Sequence, residues 1–203
     1  MGQDWTIVLP RRTLPQPQPH VNQGGDCGAC VFSGLTGLAV HEVYERFGRG
    51  NRYGEHGTVS SLNEHEMRQA LIDARSAGLL ADYVIDHPHW QTIDEMAWFG
   101  SPATHQCQQW WNYVRLGLRA GFYGVACVDH ARQGLRGAGA DHWVLVCGER
   151  EIHPEETGAI RQEVLVSNSS ATAKPEEWVD LHDFLRDWGG FNLFLARPPE
   201  TPA

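Results

Sequence analysis

Two cysteines and a glutamine lie close together near the start of the chain, and these residue types can carry out thiol chemistry. The run reads Gln23-Gly24-Gly25-Asp26-Cys27-Gly28-Ala29-Cys30. Apolar residues follow Cys30 at helical spacing without a proline, so we expect a helix over residues 30–47 that Gly48 ends. Cys30 would then lie in the first helical turn, where unpaired N–H groups and the helix dipole favour the reactive thiolate.

A nucleophilic thiol needs a general base, and the base needs an orienting group. His142 opens an apolar run that reads as a buried strand ending at Gly148, and a second such run over residues 163–167 leads to Asn168. We expect the two runs to form a hairpin with a long polar connection. Alone, these residues would be a buried thiol, a strand histidine and a turn asparagine. Their order and local contexts together favour a catalytic set.

The segment around Cys30 resembles the papain-like cysteine peptidases, whose motif is Asn-Gln-Gly followed by Cys-Gly-Ser/Ala-Cys and an aromatic residue. The resemblance implies Cys30 as nucleophile, His142 as base and Asn168 as its orienting partner. The oxyanion donors would be the Gln23 amide and the Cys30 backbone N–H. Val31 replaces the aromatic residue, and one extra residue follows the glutamine. The separations are 142 − 30 = 112 and 168 − 30 = 138 residues. The family expectation is about 130–150 for both, which implies a shortened fold.

The C-terminal stretch over residues 179–190 also resembles the leader-cleaving peptidases of bacterial peptide exporters, which share the papain-like fold. Their nucleophile lies in Asp-Cys-Gly, which here would be Cys27. Gln23 precedes Cys30 by seven residues and Cys27 by four, whereas both families use about six. This spacing favours Cys30 and leaves Cys27 as its competitor.

Two other chemistries compete for the same cysteines. Cys27, Cys30, Cys127 and His130 could ligate a structural zinc, but Cys127 lies in a strand-like run whose side chains alternate between faces. A thioredoxin-like pair would need a core strand before Cys27, where the chain has a proline-rich arm over residues 14–19. We therefore expect neither a metal nor a cofactor.

The remaining pattern predicts an α+β fold. Further helices are expected over residues 61–78, 103–120 and 181–188, and further strands over 121–128 and 191–196. The resemblance implies one papain-like domain in which a helical lobe carrying the nucleophile packs on a small antiparallel sheet carrying the histidine and the asparagine. The expected divisions are an arm at 1–22, a helical lobe at about 23–100, a β-rich lobe at about 101–197 and a tail at 198–203.

Composition restricts the partners. The net charge of −9 argues against nucleic acid and anionic membranes, and no apolar run is long enough for a transmembrane helix. The odd number of five cysteines and the lack of a signal segment at Met1 favour a cytoplasmic protein, in which Cys107, Cys127 and Cys147 are buried thiols. The sequence pattern contains no indication of the oligomeric state.

The expected activity is a cysteine peptidase that cleaves peptide, isopeptide or amide bonds of a peptide or protein substrate through an acyl-enzyme. The same residues could instead serve an acyltransferase, a transglutaminase-like enzyme or a deamidase, because water and amines compete for the acyl group. A homologue that binds peptides without cleaving them is the third alternative. The complete residue set argues against it.

Overall fold

A computed structural model describes residues 5–8, 27–47, 64–78, 80, 84–86, 104–119, 122–129, 140–153, 159–169, 176–188 and 193–197. Within these ranges the chain forms five helices and seven strands. The helices are α1 (Cys27–Thr36), α2 (Val40–Phe47), α3 (Glu64–Ser76), α4 (Thr104–Arg119) and α5 (Leu181–Trp188). The strands are β1 (Trp5–Val8), β2 (Val84–Asp86), β3 (Tyr123–Asp129), β4 (Ala140–Ile152), β5 (Arg161–Ser167), β6 (Glu176–Asp180) and β7 (Leu193–Arg197).

The seven described strands form one antiparallel sheet. Six of them lie in the order β2-β7-β3-β4-β5-β6. The short β1 pairs with the C-terminal part of β4, with Trp5 opposite Glu151 and Val8 opposite Gly148. The α+β prediction is therefore confirmed. The sheet is larger than expected, because it draws β1 and β2 from the first half of the chain into pairing with strands of the second half.

The hairpin of β4 and β5 is present, but its strands are longer than predicted. The polar residues after Gly148 continue β4 as far as Ile152 because they find partners across the ladder. Arg150 donates from Nε to Oε2 of Glu163 at 2.6 Å, and Gln162 donates from Nε2 to Oε1 of Glu151 at 2.8 Å. Cross-strand polar pairs of this kind stabilise a ladder without apolar side chains.

The single helix expected over residues 30–47 is wrong, because the structure has two helices there. Gly37 adopts a positive φ of 76°, and its N–H donates to the Ser33 carbonyl at 2.8 Å, which ends α1. Glu42 then accepts the Ala39 N–H at 2.8 Å, the reciprocal half of a capping box that starts α2. The glycine, which has no Cβ to clash at this φ, marks the break.

The other helices agree with their predicted positions. The apolar face of α3 is fully buried, and Gly78, with φ of 82°, follows its end. Asp180 caps α5, since its Oδ1 accepts the His182 N–H at 2.8 Å. The Ser61 capping residue predicted for α3 lies outside the described residues.

The helices and the sheet share one hydrophobic core. Helix α1 contacts α2 and β4, α4 contacts β3 and β4, and α5 contacts β3, β5 and β6. Phe184 of α5 lies edge-on to Trp111 of α4 and stacks near Trp188, with ring centroids 5.6 Å and 6.3 Å apart. The contact between α1 and β4 places α1 directly against the strand that carries His142.

Candidate active site

The predicted base and its orienting residue are in contact. Nε2 of His142 lies 2.8 Å from Oδ1 of Asn168, although 26 residues separate them in sequence. His142 is the third residue of β4, and Asn168 directly follows Ser167, the last residue of β5. Both side chains are buried, at 5% and 6% exposure. The hairpin therefore brings together the histidine and the asparagine that the resemblance paired.

This contact determines which ring nitrogen of His142 can act as a base. Oδ1 of an asparagine only accepts hydrogen bonds, so Nε2 must carry the hydrogen. In the neutral imidazole the lone pair then lies on Nδ1, which is the nitrogen that can take up a proton. The buried hydrogen bond also restrains rotation of the ring.

A β-bulge lies directly beside the histidine. Val128 of β3 pairs with His142, whereas the next residue, Asp129, pairs with Ala140, so Asp141 is the extra residue on β4. A bulge bends its strand and changes the direction of the neighbouring side chains. This irregularity was not predictable from the sequence, because a bulge depends on the pairing of two distant segments.

The predicted nucleophile lies on the helix that packs against β4. Helix α1 begins at Cys27, three residues before the expected start, and Cys30 is its fourth residue. Cys27 is 6% exposed and belongs to the hydrophobic core of the described residues. Cys30 is 0% exposed and is likewise a buried residue of α1.

The early start of α1 changes the expected oxyanion donors. In a helix that begins at Cys27, the N–H groups without an intrahelical carbonyl are those of residues up to 29. The Cys30 N–H is the first that reaches a carbonyl of its own helix, so it is a weaker donor than predicted. An Asp immediately before Cys27 is a residue type that starts helices, a signal that could have placed the start correctly. Gln23, the other predicted donor, lies outside the described residues.

The sheet register bears on the rival zinc site. Cys127 is directly opposite Trp143, so the two share one face of the sheet, and His142 points to the other face. Cys127 therefore lies across the sheet from the His142–Asn168 pair. Among the described residues, no group of three or more His, Cys, Asp or Glu side chains is placed to hold a metal ion. His130 falls outside them. Cys127 and Cys147 are buried as predicted, while the side chain of Cys107 is not described.

Two buried carboxylates lie in the far part of the hairpin: Glu149, in the stretch predicted to be a polar connection, and Glu163, the first residue of the predicted second strand. Glu149, fully buried, forms an ion pair with Arg115 of α4. Glu163 forms ion pairs with Arg150 and Arg161. Burial acts to raise the pKa of Glu163, but hydrogen bonds from Arg161 and Arg150 and their positive charges outweigh it, so this pKa lies below its ordinary value. The guanidinium of Arg150 also lies 4.4 Å from the centre of the Trp178 ring.

Comparison of the chain with family models and with curated proteins, and of its fold with solved structures, finds no match. None of the helices in the described part of the chain has the length and apolar character needed to cross a bilayer.

Proposed function

We propose that this chain is a papain-like cysteine peptidase that cleaves a peptide or amide bond through an acyl-enzyme. Cys30 is the nucleophile, His142 the base, Asn168 the residue that orients the base, and Gln23 the side-chain donor to the oxyanion. The observation that supports this most strongly is the buried 2.8 Å contact between His142 and Asn168. A histidine held by an acceptor on one nitrogen is arranged to exchange a proton on the other.

The packing of α1 on β4 is the second support. It joins the helix of the predicted nucleophile to the strand of the predicted base, as an acid–base relay between Cys30 and His142 requires. The separation of the Cys30 sulfur from Nδ1 of His142 remains a prediction, at about 3–4 Å.

The reaction begins when Nδ1 of His142 takes the proton from the Cys30 sulfur. The thiolate then attacks the carbonyl carbon of the substrate, and the Gln23 amide donates to the oxyanion, a contribution of about 3 kcal/mol. His142 returns the proton to the leaving amine, and the acyl group stays on sulfur. A water molecule, deprotonated by His142, releases the acid and restores the thiol.

The burial of the site favours a narrow substrate. Because Cys30 has no exposed surface, a carbonyl carbon reaches its sulfur only by displacing the side chains that cover it. An extended peptide segment, or a single side-chain amide, needs a smaller opening over the sulfur than a folded protein surface does. Hydrolysis is the simplest outcome, and transfer to an amine would use the same steps up to the acyl-enzyme.

Covalent labelling with a peptidyl epoxide, mapped by mass spectrometry, tests the proposal. We expect the label on Cys30 in the wild type and in Cys27→Ala, and no label in Cys30→Ala. Labelling that persists in Cys30→Ala and disappears in Cys27→Ala would assign the nucleophile to Cys27. Product analysis with and without added amine separates a peptidase from an acyltransferase. Activity that a chelator removes and zinc restores would favour the zinc site over this mechanism.

A further inference from the structure

The first turn of α1 carries two thiols three residues apart. Cys27 is the first residue of the helix and Cys30 the fourth, and the structure describes both as thiols. Residues at this spacing lie next to each other on one helix face. Helix geometry places their Cα atoms about 5 Å apart, within the range of about 4.4–6.8 Å that disulfides span. The backbone is therefore already arranged for a bond between them.

The other two described thiols lack this arrangement. Cys127 pairs with Trp143, so Cys147 lies four residues further along β4 from the position opposite Cys127. Four residues of strand span about 13 Å, too far for a disulfide without moving the backbone. Both are as buried as the two thiols of α1, at 4% and 1% exposure. They therefore serve as internal controls that match Cys27 and Cys30 in burial but not in geometry.

The position of both thiols at the start of α1 favours their reactive form. The positive end of the helix dipole stabilises the thiolate, which is the form that attacks hydroperoxides. The first turn contains no acidic residue, although Asp26 directly precedes it in sequence. Because Cys27 and Cys30 are 6% and 0% exposed, a hydroperoxide reaches them only when the side chains that cover them move aside.

We propose that Cys27 and Cys30 form a reversible internal disulfide that protects the Cys30 sulfur from irreversible oxidation. The Cys30 thiolate attacks one oxygen of a hydroperoxide and breaks the O–O bond, so that Cys30 becomes a sulfenic acid. The other oxygen gains a proton and leaves as an alcohol or as water. The Cys27 thiol then attacks that sulfur and expels water. The two electrons lost by the thiols are those that reduce the peroxide bond.

The disulfide should be readily reduced. A helix N-terminus stabilises the thiolates of the reduced form and so makes the disulfide more oxidising than an ordinary structural one. A monothiol such as glutathione would return both cysteines to thiols. The consequence for catalysis, reversible loss of activity while Cys30 is bonded to Cys27, rests on the proposed function. Formation of the disulfide does not.

The test uses the full chain exposed to hydrogen peroxide, with peptide mapping and intact mass as readouts. We expect the wild type to lose a pair of hydrogen atoms, with the bond mapped to Cys27 and Cys30, and dithiothreitol to reverse the change. Cys27→Ser should instead gain oxygen atoms on Cys30 that dithiothreitol cannot remove. Cys147→Ser should behave as the wild type does.

Wild-type protein in which Cys30 gains oxygen atoms as fast as in Cys27→Ser would overturn the proposal, as would peroxide-treated protein with both thiols intact. If Cys27→Ser does not fold, the mapped bond in the wild type decides by itself. A disulfide that forms in a chain whose Cys30 takes no epoxide label would support this proposal and reject the peptidase. A labelled Cys30 that forms no disulfide would do the reverse.

Discussion

The two ends of β4 both bury polar groups, but they do so in different ways. At the N-terminal end, His142 and Asn168 are joined by a hydrogen bond beside a bulge. At the C-terminal end, Glu149 and Arg150 belong to ion pairs that join β4 to α4 and β5. A histidine beside a helix that carries thiols can accept a proton from one of them, whereas the ion pairs hold neighbouring elements of the fold together.

This contrast predicts that the two ends fail differently when mutated. Changes at the histidine end should abolish activity and leave the fold almost intact. Changes at the glutamate end should weaken the fold and leave the activity of the folded molecules unchanged. A variant at the histidine end that unfolds the protein, or one at the glutamate end that abolishes the activity of folded molecules, would contradict this division of roles along β4.

The largest expected effect is on turnover in His142→Ala. Without the base, the Cys30 thiol keeps its proton and the leaving amine of the substrate receives none. We therefore expect a loss of about 10⁴-fold or more in kcat/KM. The free energy of unfolding should fall by about 1–2 kcal/mol, because the buried Asn168 side chain loses the hydrogen bond from His142. Peptide hydrolysis and urea denaturation of the same preparation measure the two quantities. Turnover close to that of the wild type would remove His142 from the mechanism.

Glu149→Gln should cause the largest loss of stability. The substitution leaves the largely buried Arg115 guanidinium without its counter-charge, which costs about 3 kcal/mol in the free energy of unfolding. The double variant Arg115→Met/Glu149→Leu should recover most of this loss, because it removes both charges. Exposed Glu45→Gln is the matched control and should change little. A Glu149→Gln protein as stable as this control would show that the ion pair contributes nothing.

Asn168→Ala should reduce turnover less than His142→Ala does. Asn168 orients the ring and takes no proton, so the loss corresponds to one buried hydrogen bond of about 1–2 kcal/mol, which is a five- to thirtyfold fall in kcat/KM. The basic limb of the pH–rate profile should also move to lower pH, because the imidazolium loses a partner that stabilises it. Ser169→Ala alters the adjacent buried residue and should leave the profile in place. A shifted profile in Ser169→Ala as well would indicate a general disturbance of the loop.

The smallest expected effect is the pH dependence of stability from Glu163. Its folded-state pKa lies below the unfolded value of about 4.3, so the carboxylate stabilises the fold above that pH, and the contribution is lost as pH falls through the folded-state pKa. Glu163→Gln should therefore flatten the decline of unfolding free energy below about pH 4.5. Denaturation curves at a series of acid pH values measure this slope. An unchanged slope would show that the carboxylate has no lowered pKa.

The sequence predicted the elements that carry strong local signals. The apolar run after His142, the apolar face of α3 and the pattern over 181–188 each matched an observed element. The contact between His142 and Asn168 was expected from the family resemblance, while the sequence pattern itself predicted only that the two strands form a hairpin.

The features that were missed depend on contacts between distant segments. Strand β1 has only four residues and becomes a strand by pairing with β4, and the polar β6 depends in the same way on β5. The bulge at Asp141 exists only relative to β3. The break at Gly37 is the exception, since a glycine inside a helical pattern was a local warning.

The most direct measurement is the rate at which iodoacetamide alkylates Cys30 as a function of pH, mapped by mass spectrometry in the wild type and in His142→Ala. At about pH 6 an isolated thiol is almost entirely protonated. A Cys30 thiolate paired with the His142 imidazolium should react about 100-fold faster there than such a thiol, and His142→Ala should remove the excess. Alkylation that maps to Cys27, or a Cys30 rate that His142→Ala leaves unchanged, would contradict the proposed catalytic pair.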